Sequence, residues 1–357
     1  MRTQRRLLKA ISLVGVLGLV AAACGDDDSS SDAPATTAAA ETTAAPAAGG
    51  PAVGLLFDIT GRGDKSFNDA AAAGLDRATA ELGIKPSEST PTGDGDRAER
   101  LKGLVHAGNG LVIGVGFLWG DAITAGSAEN PGTNFAIIDS VVDAPNVASL
   151  VFAEEQGSFL VGAAAALKTK TNKVGFIGGV ENDLIKKFEA GFTAGVKAVN
   201  ADIEVLAQYI TQPPDFAGFN DPAKGKEIAA AMYADGADII YSAAGSSGLG
   251  AFEAAKEAGA PGDVWAIGVD SDQYNLVSAD LQPYILTSML KKVDVAVFET
   301  IKTFVETGTA SGIRSFDLAS GGVGYSTSGG FVDDIVADLD AYAAQIVSGE
   351  IVVPTAP

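Results

Sequence analysis

Acidic side chains recur at one kind of place in this chain, immediately after short apolar runs. Asp58 follows residues 52–57, Asp139 follows 134–138, and Asp270 follows 264–269. Gly245 comes just past the run at 237–243, and Lys291-Lys292 follows the run at 284–290. An ionised carboxylate is a pure hydrogen-bond acceptor. It matches the hydroxyl donors of a polyol, with each charge-assisted bond contributing about 1.5–3 kcal/mol. The same carboxylates oppose a phosphate dianion, which would find only a lysine or two in reply. After Asp58 a glycine-containing stretch, Gly61-Arg62-Gly63-Asp64-Lys65-Ser66-Phe67-Asn68, leads into a helical pattern.

Other chemistries are poorly supplied. The chain has one His and one Cys, which excludes the usual zinc clusters and a disulfide framework. No nucleophile–base pair stands out, and His106 reads as a surface or helix-end residue beside Gly108. No metal and no cofactor are expected. Arg62-Gly63-Asp64 spells an adhesion tripeptide that recurs by chance, and Gly114-Val115-Gly116 and Gly178-Gly179 lack dinucleotide-binding spacing. Trp119 and Trp265 read as packing residues, and Asp333 and Asp334 as a solvated helix start. A net charge of −21 argues against a nucleic-acid partner.

The elements that must position these residues follow a simple rhythm. Apolar runs at 52–57, 111–115, 134–138, 147–152, 173–177, 203–210, 237–243, 264–269 and 284–290 are nearly continuous, as in strands covered on both faces. Amphipathic stretches near 67–82, 95–106, 119–128, 155–169, 183–198, 222–235, 247–258 and 291–307 alternate with them, and Gly83, Gly236 and Gly259 close three. Alternation of this kind predicts parallel sheets built from βαβ units, with ligands bound beyond the carboxyl ends of the strands. The 307 residues from 51 to 357 suit two lobes with a cleft between them. The expected division is lobe 1 at 51–152, lobe 2 at 153–283, a return to lobe 1 at 284–310, and a segment at 311–357 completing both.

Ahead of the lobes, Arg2, Arg5, Arg6 and Lys9 precede an apolar run from Ala10 to Val20 and small residues before Cys24. Residues 1–23 read as an export signal, too short in its apolar part to favour a membrane span. The residues before Cys24 resemble a bacterial lipobox, with Ala21 where Leu is preferred, so Cys24 is the expected lipidation site. Residues 24–50 are rich in Asp, Ser, Thr, Ala, Pro and Gly and read as a disordered tether. The head carries four positive charges and the tether five acidic residues, which leaves −20 on residues 51–357.

The ordered motifs support a family resemblance. Asp58-Ile59-Thr60-Gly61-Arg62-Gly63-Asp64-Lys65-Ser66-Phe67-Asn68 resembles the first signature of the basic membrane protein family, the substrate-binding lipoproteins of ABC importers that include the purine nucleoside receptors. In order there follow Gly116-Phe117, Ile138-Asp139, Glu155-Gln156-Gly157-Ser158-Phe159, Gly175-Phe176-Ile177-Gly178-Gly179 and Asp221-Pro222-Ala223-Lys224-Gly225-Lys226-Glu227. Gly268-Val269-Asp270-Ser271-Asp272-Gln273 and Leu286-Thr287-Ser288-Met289-Leu290-Lys291 complete the set.

The resemblance implies an α/β fold of two Rossmann-like lobes of the type I periplasmic-binding-protein kind, with an inter-lobe cleft. It implies a nucleoside ligand, a membrane ABC permease as partner, a lipid-anchored place on the extracytoplasmic face, and no enzymatic activity. By position, Phe67 and an aromatic in the segment 218–221 would sandwich a base, with Phe219 favoured and Phe216 open. Asp58, Asn68, Asp139, Gly245, Asp270 and Lys291 would hold base edges and ribose hydroxyls, with Lys292 the alternative to Lys291. Rival readings are a sugar or other small signalling molecule on the same scaffold, or a ligand sensor.

Overall fold

A computed structural model describes residues 49–357. The export signal, the tether up to residue 48 and Cys24 lie outside the described residues.

In chain order the first part runs β1 (Ala52–Leu56), α1 (Phe67–Leu82), β2 (Lys85–Ser89), α2 (Arg97–His106), β3 (Leu111–Gly114), α3 (Gly120–Glu129), β4 (Asn134–Ile138) and β5 (Val147–Phe152). There follow α4 (Glu154–Lys168), β6 (Lys173–Val180), α5 (Asp183–Val199), β7 (Glu204–Thr211), α6 (Pro222–Ala234), β8 (Ile239–Ala243), α7 (Leu249–Ala258) and β9 (Trp265–Asp270). The remainder is β10 (Ile285–Lys291), α8 (Val293–Thr307), β11 (Gly312–Phe316), β12 (Val323–Tyr325) and α9 (Val336–Val347).

Two six-stranded sheets result. One has the order β11-β5-β4-β3-β1-β2 and is parallel throughout. The other has the order β12-β10-β9-β8-β6-β7 and is parallel except for β12. Central strands such as β3 and β8 are buried along their whole length, which is why they read as unbroken apolar runs. Two edge strands break that rule. β2 is Lys-Pro-Ser-Glu-Ser and β11 is Gly-Ile-Arg-Ser-Phe, both largely exposed, so neither leaves an apolar signature.

The predicted strands and helices all occur, with ends shifted by a few residues, α9 follows the helix start expected at Asp333 and Asp334, and β2, β11 and β12 are additions. Gly83 and Gly236 end their helices with φ of 66° and 95°, the left-handed conformation that favours glycine. Gly259 is instead extended, and a side chain there would stand 3.1 Å from Val264. The division of the lobes also differs from expectation at one place. Residues 285–291 pair with β9 and stay in the second sheet, so the return to the first lobe begins at α8, which packs on α1. The apolar pattern of β10 demanded a sheet without specifying which.

Three crossings therefore join the lobes, at Ala153, at Lys292 and at 317–322, and they lie together. The Ala153 N–H donates to Phe316 O at 2.9 Å, and the Lys292 N–H donates to Gly322 O at 2.8 Å. The Phe152 and Phe316 rings stack at 4.9 Å.

Helices α4 and α5 touch backbone to backbone. A side chain at Gly191 or Gly195 would stand 2.1 or 2.0 Å from the carbonyl oxygen of Glu155 or Phe159, so only glycine permits this approach. Trp119 is fully buried and its indole N–H donates to Phe57 O at 3.1 Å, which makes it a packing residue. Half-buried Trp265 packs on Phe331, and His106 is exposed at the end of α2.

Candidate functional site

The segment after β1 is organised by its own acids. Asp64, 3% exposed, accepts the N–H groups of Ser66, Asn68 and Asp69, so its carboxylate serves the first turn of α1. Asp69 accepts the N–H groups of Gly63 and Lys65 in return. Arg62 is held by Asp76 and Glu88. With Arg62 engaged and Asp64 buried, the tripeptide 62–64 is not presented for adhesion. Asn68 accepts the Asp58 N–H at 2.8 Å and donates its amide to Thr60 Oγ1 and Asp64 Oδ2. Its polar atoms thus shape the loop that carries Asp58.

The strand ends then converge on one cavity of about 600 Å³, counted out to open solvent. All eight singled-out residues line it: Asp58, Phe67, Asn68, Asp139, Phe219, Gly245, Asp270 and Lys291. Phe219 stands at the cavity. Phe216 instead meets Phe117 edge-on at 5.8 Å, joining the two lobes. Lys291 ends β10 and is 2% exposed at the cavity, whereas Lys292 is half-buried and is not in the wall. Asp139 and Asp270 both adopt left-handed backbone, with φ of 66° and 64°. Such strain costs of order 1–3 kcal/mol and persists where surroundings enforce it.

Burial dominates the electrostatics. It pushes the Asp58 carboxyl up to about 6, opposed by the Ile59 N–H and by Arg97, whose guanidinium lies 3.7 Å away. Asp270 is likewise raised to about 6 by burial, against the pull of Lys291 and of the Ser66 hydroxyl, which donates to it at 2.7 Å. Asp139 is pushed up by burial and by Glu154, against the attraction of Lys291. For Lys291 burial opposes the charge, but Asp139, Glu154 and Asp270 outweigh it and hold the ammonium protonated. Its Nζ lies 2.6 Å from Asp139 and 3.0 Å from Glu154, and 5.1 Å from the centre of the Phe67 ring.

The lobes are in direct contact beside the cavity. Besides the Ser66–Asp270 bond, the Ser271 hydroxyl donates to Ser66 O at 2.9 Å and the Gln273 amide to Lys65 O at 3.0 Å.

Several residues escaped the sequence reading. Leu184, Ile185 and Phe188 of α5 supply an apolar wall, yet their spacing is that of any core-facing helix stripe. Arg97 behind Asp58 left no signal. Glu154 stands one residue before the motif at Glu155 and could have been found only from its place at the first crossing. Among the described residues no group of His, Cys, Asp or Glu is arranged to hold a metal ion.

This arrangement has relatives. The family described as ABC transporter substrate-binding protein, PnrA-like, matches residues 52–356. A CD4+ T-cell-stimulating antigen of Listeria monocytogenes is 35% identical over 99% of both chains. The ABC transporter nucleoside-binding protein BmpA of Lactococcus lactis is 36% identical over 84% of this chain and 88% of its own. Among solved structures, an ABC transporter solute-binding protein from Aeropyrum pernix superposes with a TM-score of 0.74 at 32% identity, over 85% of this chain and 94% of that one. With the family's match running the length of both lobes, the chain belongs to the PnrA-like ABC transporter substrate-binding proteins.

Proposed function

We propose that this protein captures a nucleoside between its lobes and hands it to an ABC permease, without chemical change to the ligand. The observation that carries the reading is the composition of the cavity wall, where the carboxylates of Asp58, Asp64, Asp139 and Asp270 and the Lys291 ammonium share one space with Phe67 and Phe219. A base has two apolar faces, and stacking on an aromatic ring contributes about 1–3 kcal/mol per base. A ribose has hydroxyl donors that suit Asp58, Asp139 and Asp270, and ring or hydroxyl oxygens that suit the Lys291 ammonium. The name of the Lactococcus relative supports the same ligand class.

In this reading Asp58, Asp139, Asp270, Lys291 and the backbone at Gly245 contact the ligand, Phe67 and Phe219 stack on its base, and Asn68 holds the Asp58 loop in place. Closure of the lobes on the ligand presents the surface that the permease recognises, driven by tighter ligand binding to the closed state. A lipid on Cys24 and the tether keep the lobes at the extracytoplasmic face of the membrane. Among the described residues no helix is long and apolar enough to cross it.

Calorimetric titration of the purified protein with adenosine, guanosine, inosine, cytidine, uridine and ribose tests the proposal. Binding of at least one nucleoside, recovered unchanged, is expected. Binding of ribose alone, or of none of the panel, would overturn it.

A further inference from the structure

The cavity lysine is held from behind by a group that lies outside the cavity wall. Glu154 is 1% exposed, stands in the first turn of α4 immediately after the first lobe crossing, and is not part of the cavity wall. Its Oε1 lies 3.0 Å from Lys291 Nζ, and its Oε2 accepts from Lys187 of α5. Lys187 in turn donates to Phe152 O, the last residue before that crossing, at 2.7 Å, and approaches Glu155 at 3.4 Å. The backbone contact of α4 with α5 at Gly191 and Gly195 allows Lys187 to reach this point.

A chain of alternating charge thus runs Asp139, Lys291, Glu154, Lys187. It begins at the end of a first-lobe strand, passes the crossing, and ends on the helix that supplies the apolar cavity wall. An ammonium has three N–H donors. Asp139 accepts one of those on Lys291, and Glu154 holds the same ammonium as an ion-pair partner 3.0 Å away. Without Glu154, the ammonium loses its ion-pair partner at the crossing, and Asp139 gains a larger share of it beside Asp270.

We propose that Glu154, backed by Lys187, is a positioning residue that aims the Lys291 ammonium into the cleft and divides its charge between Asp139 and the lobe crossing. The proposal rests on the reading of the cavity as a nucleoside site. It adds a determinant of affinity lying outside the ligand's reach. Glu154 also sets how strongly Lys291 favours the ionised form of Asp139. The charged groups facing Asp139 are Lys291 from β10, Glu154 from α4, and Asp270 at the end of β9. Neutralising Glu154 removes a repelling charge and releases Lys291 to Asp139, so Asp139 stays ionised to lower pH. Removing Lys187 leaves Glu154 a larger share of Lys291, so Asp139 takes up its proton at higher pH.

The test compares the full-length protein with Glu154→Gln, Lys187→Met and Glu155→Gln, titrating each with adenosine across about pH 5 to pH 8. Glu154→Gln is expected to weaken binding at neutral pH by about tenfold or more and to move the acid midpoint of the affinity profile downward. Lys187→Met should move it upward, and Glu155→Gln, which frees Lys187 for Glu154, should move it downward by less than Glu154→Gln does. A role in packing alone would lower thermal stability without displacing the midpoints in opposite directions. Coincident profiles for wild type, Glu154→Gln and Lys187→Met would overturn the proposal. If the wild type bound no nucleoside, the function reading would fail first. In that case the carboxyl titration of Asp139, followed by NMR in unliganded wild type, Glu154→Gln and Lys187→Met, decides the positioning role alone: opposite shifts support it, and unmoved midpoints overturn it.

Discussion

Two buried charge clusters face the same cavity and are built differently. Asp58 has its countercharge within its own lobe, where Arg97 of α2 lies 3.7 Å away and over the Trp119 ring. Lys291 is shared between lobes, with Asp139 at the end of a first-lobe strand and Glu154 at the start of the second lobe. The first cluster can move as a unit with its lobe. The second spans the crossings, so its strength bears on how the lobes are held. The clusters also differ in balance. Burial leaves Asp58 reluctant to ionise, with its carboxyl raised to about 6, whereas Lys291 is held charged by an excess of carboxylates.

That imbalance predicts stability effects of opposite sign. Replacing Lys291 with Met leaves Asp139 and Glu154 buried without their shared cation. Breaking a buried pair in this way costs about 3–5 kcal/mol, so urea unfolding of Lys291→Met should show a large loss, and adenosine binding should disappear. An unchanged unfolding midpoint would remove the second cluster from the account of stability.

Asp58→Asn should act in the other direction. The folded carboxyl has the higher pKa, about 6 against 3.8 for the ordinary group, so the folded state holds the proton more tightly than the unfolded chain. Ionised Asp58 therefore destabilises the unliganded fold, by at most roughly 3 kcal/mol when fully ionised. The penalty is complete above about pH 6 and fades as pH falls toward 4. Asp58→Asn should raise the melting temperature at neutral pH, with the gain shrinking on acidification while nucleoside affinity is lost. A gain that stayed constant across that range would show that ionisation of Asp58 is not its source. Arg97 keeps further contacts in the variant, which limits the cost of losing its carboxylate neighbour.

A smaller effect belongs to the contact that ties Asp270 across the lobes. Ser66→Ala removes a hydroxyl donated to that carboxylate at 2.7 Å. A hydrogen bond to a charged group contributes about 1.5–3 kcal/mol, part of which water recovers when the lobes open. Ligand release measured by stopped flow should accelerate, with association little changed. Equal slowing of association would place Ser66 in encounter rather than in retention.

How much of this could be read from the sequence depended on whether a residue's role was local. Asp58, Asp139 and Asp270 follow apolar strands, so a rule about strand ends found them without any knowledge of neighbours. The strands β1, β3 and β8 were equally plain, because burial on both faces imposes an unbroken apolar run. β2 and β11 were invisible, since an edge strand with exposed Lys, Glu and Ser has no such pattern. Residues 285–291 read correctly as a strand and wrongly as part of the first lobe, because partner choice is a long-range property. Glu154 and Phe188 were missed for the same reason. Alone, each is an acid in a helix's first turn and an apolar residue on a helix face. They acquire meaning only from Lys291 and the cavity opposite.

Selection of a neutral ligand by the clustered carboxylates is the central claim, and side-by-side titration with adenosine and AMP at about pH 7 tests it most directly. The two ligands share base and ribose, so the stacking proposed for Phe67 and Phe219 is common to both. Carboxylate repulsion and the cost of desolvating the phosphate predict that AMP binds at least about a hundredfold more weakly. AMP binding as tightly as adenosine would contradict it.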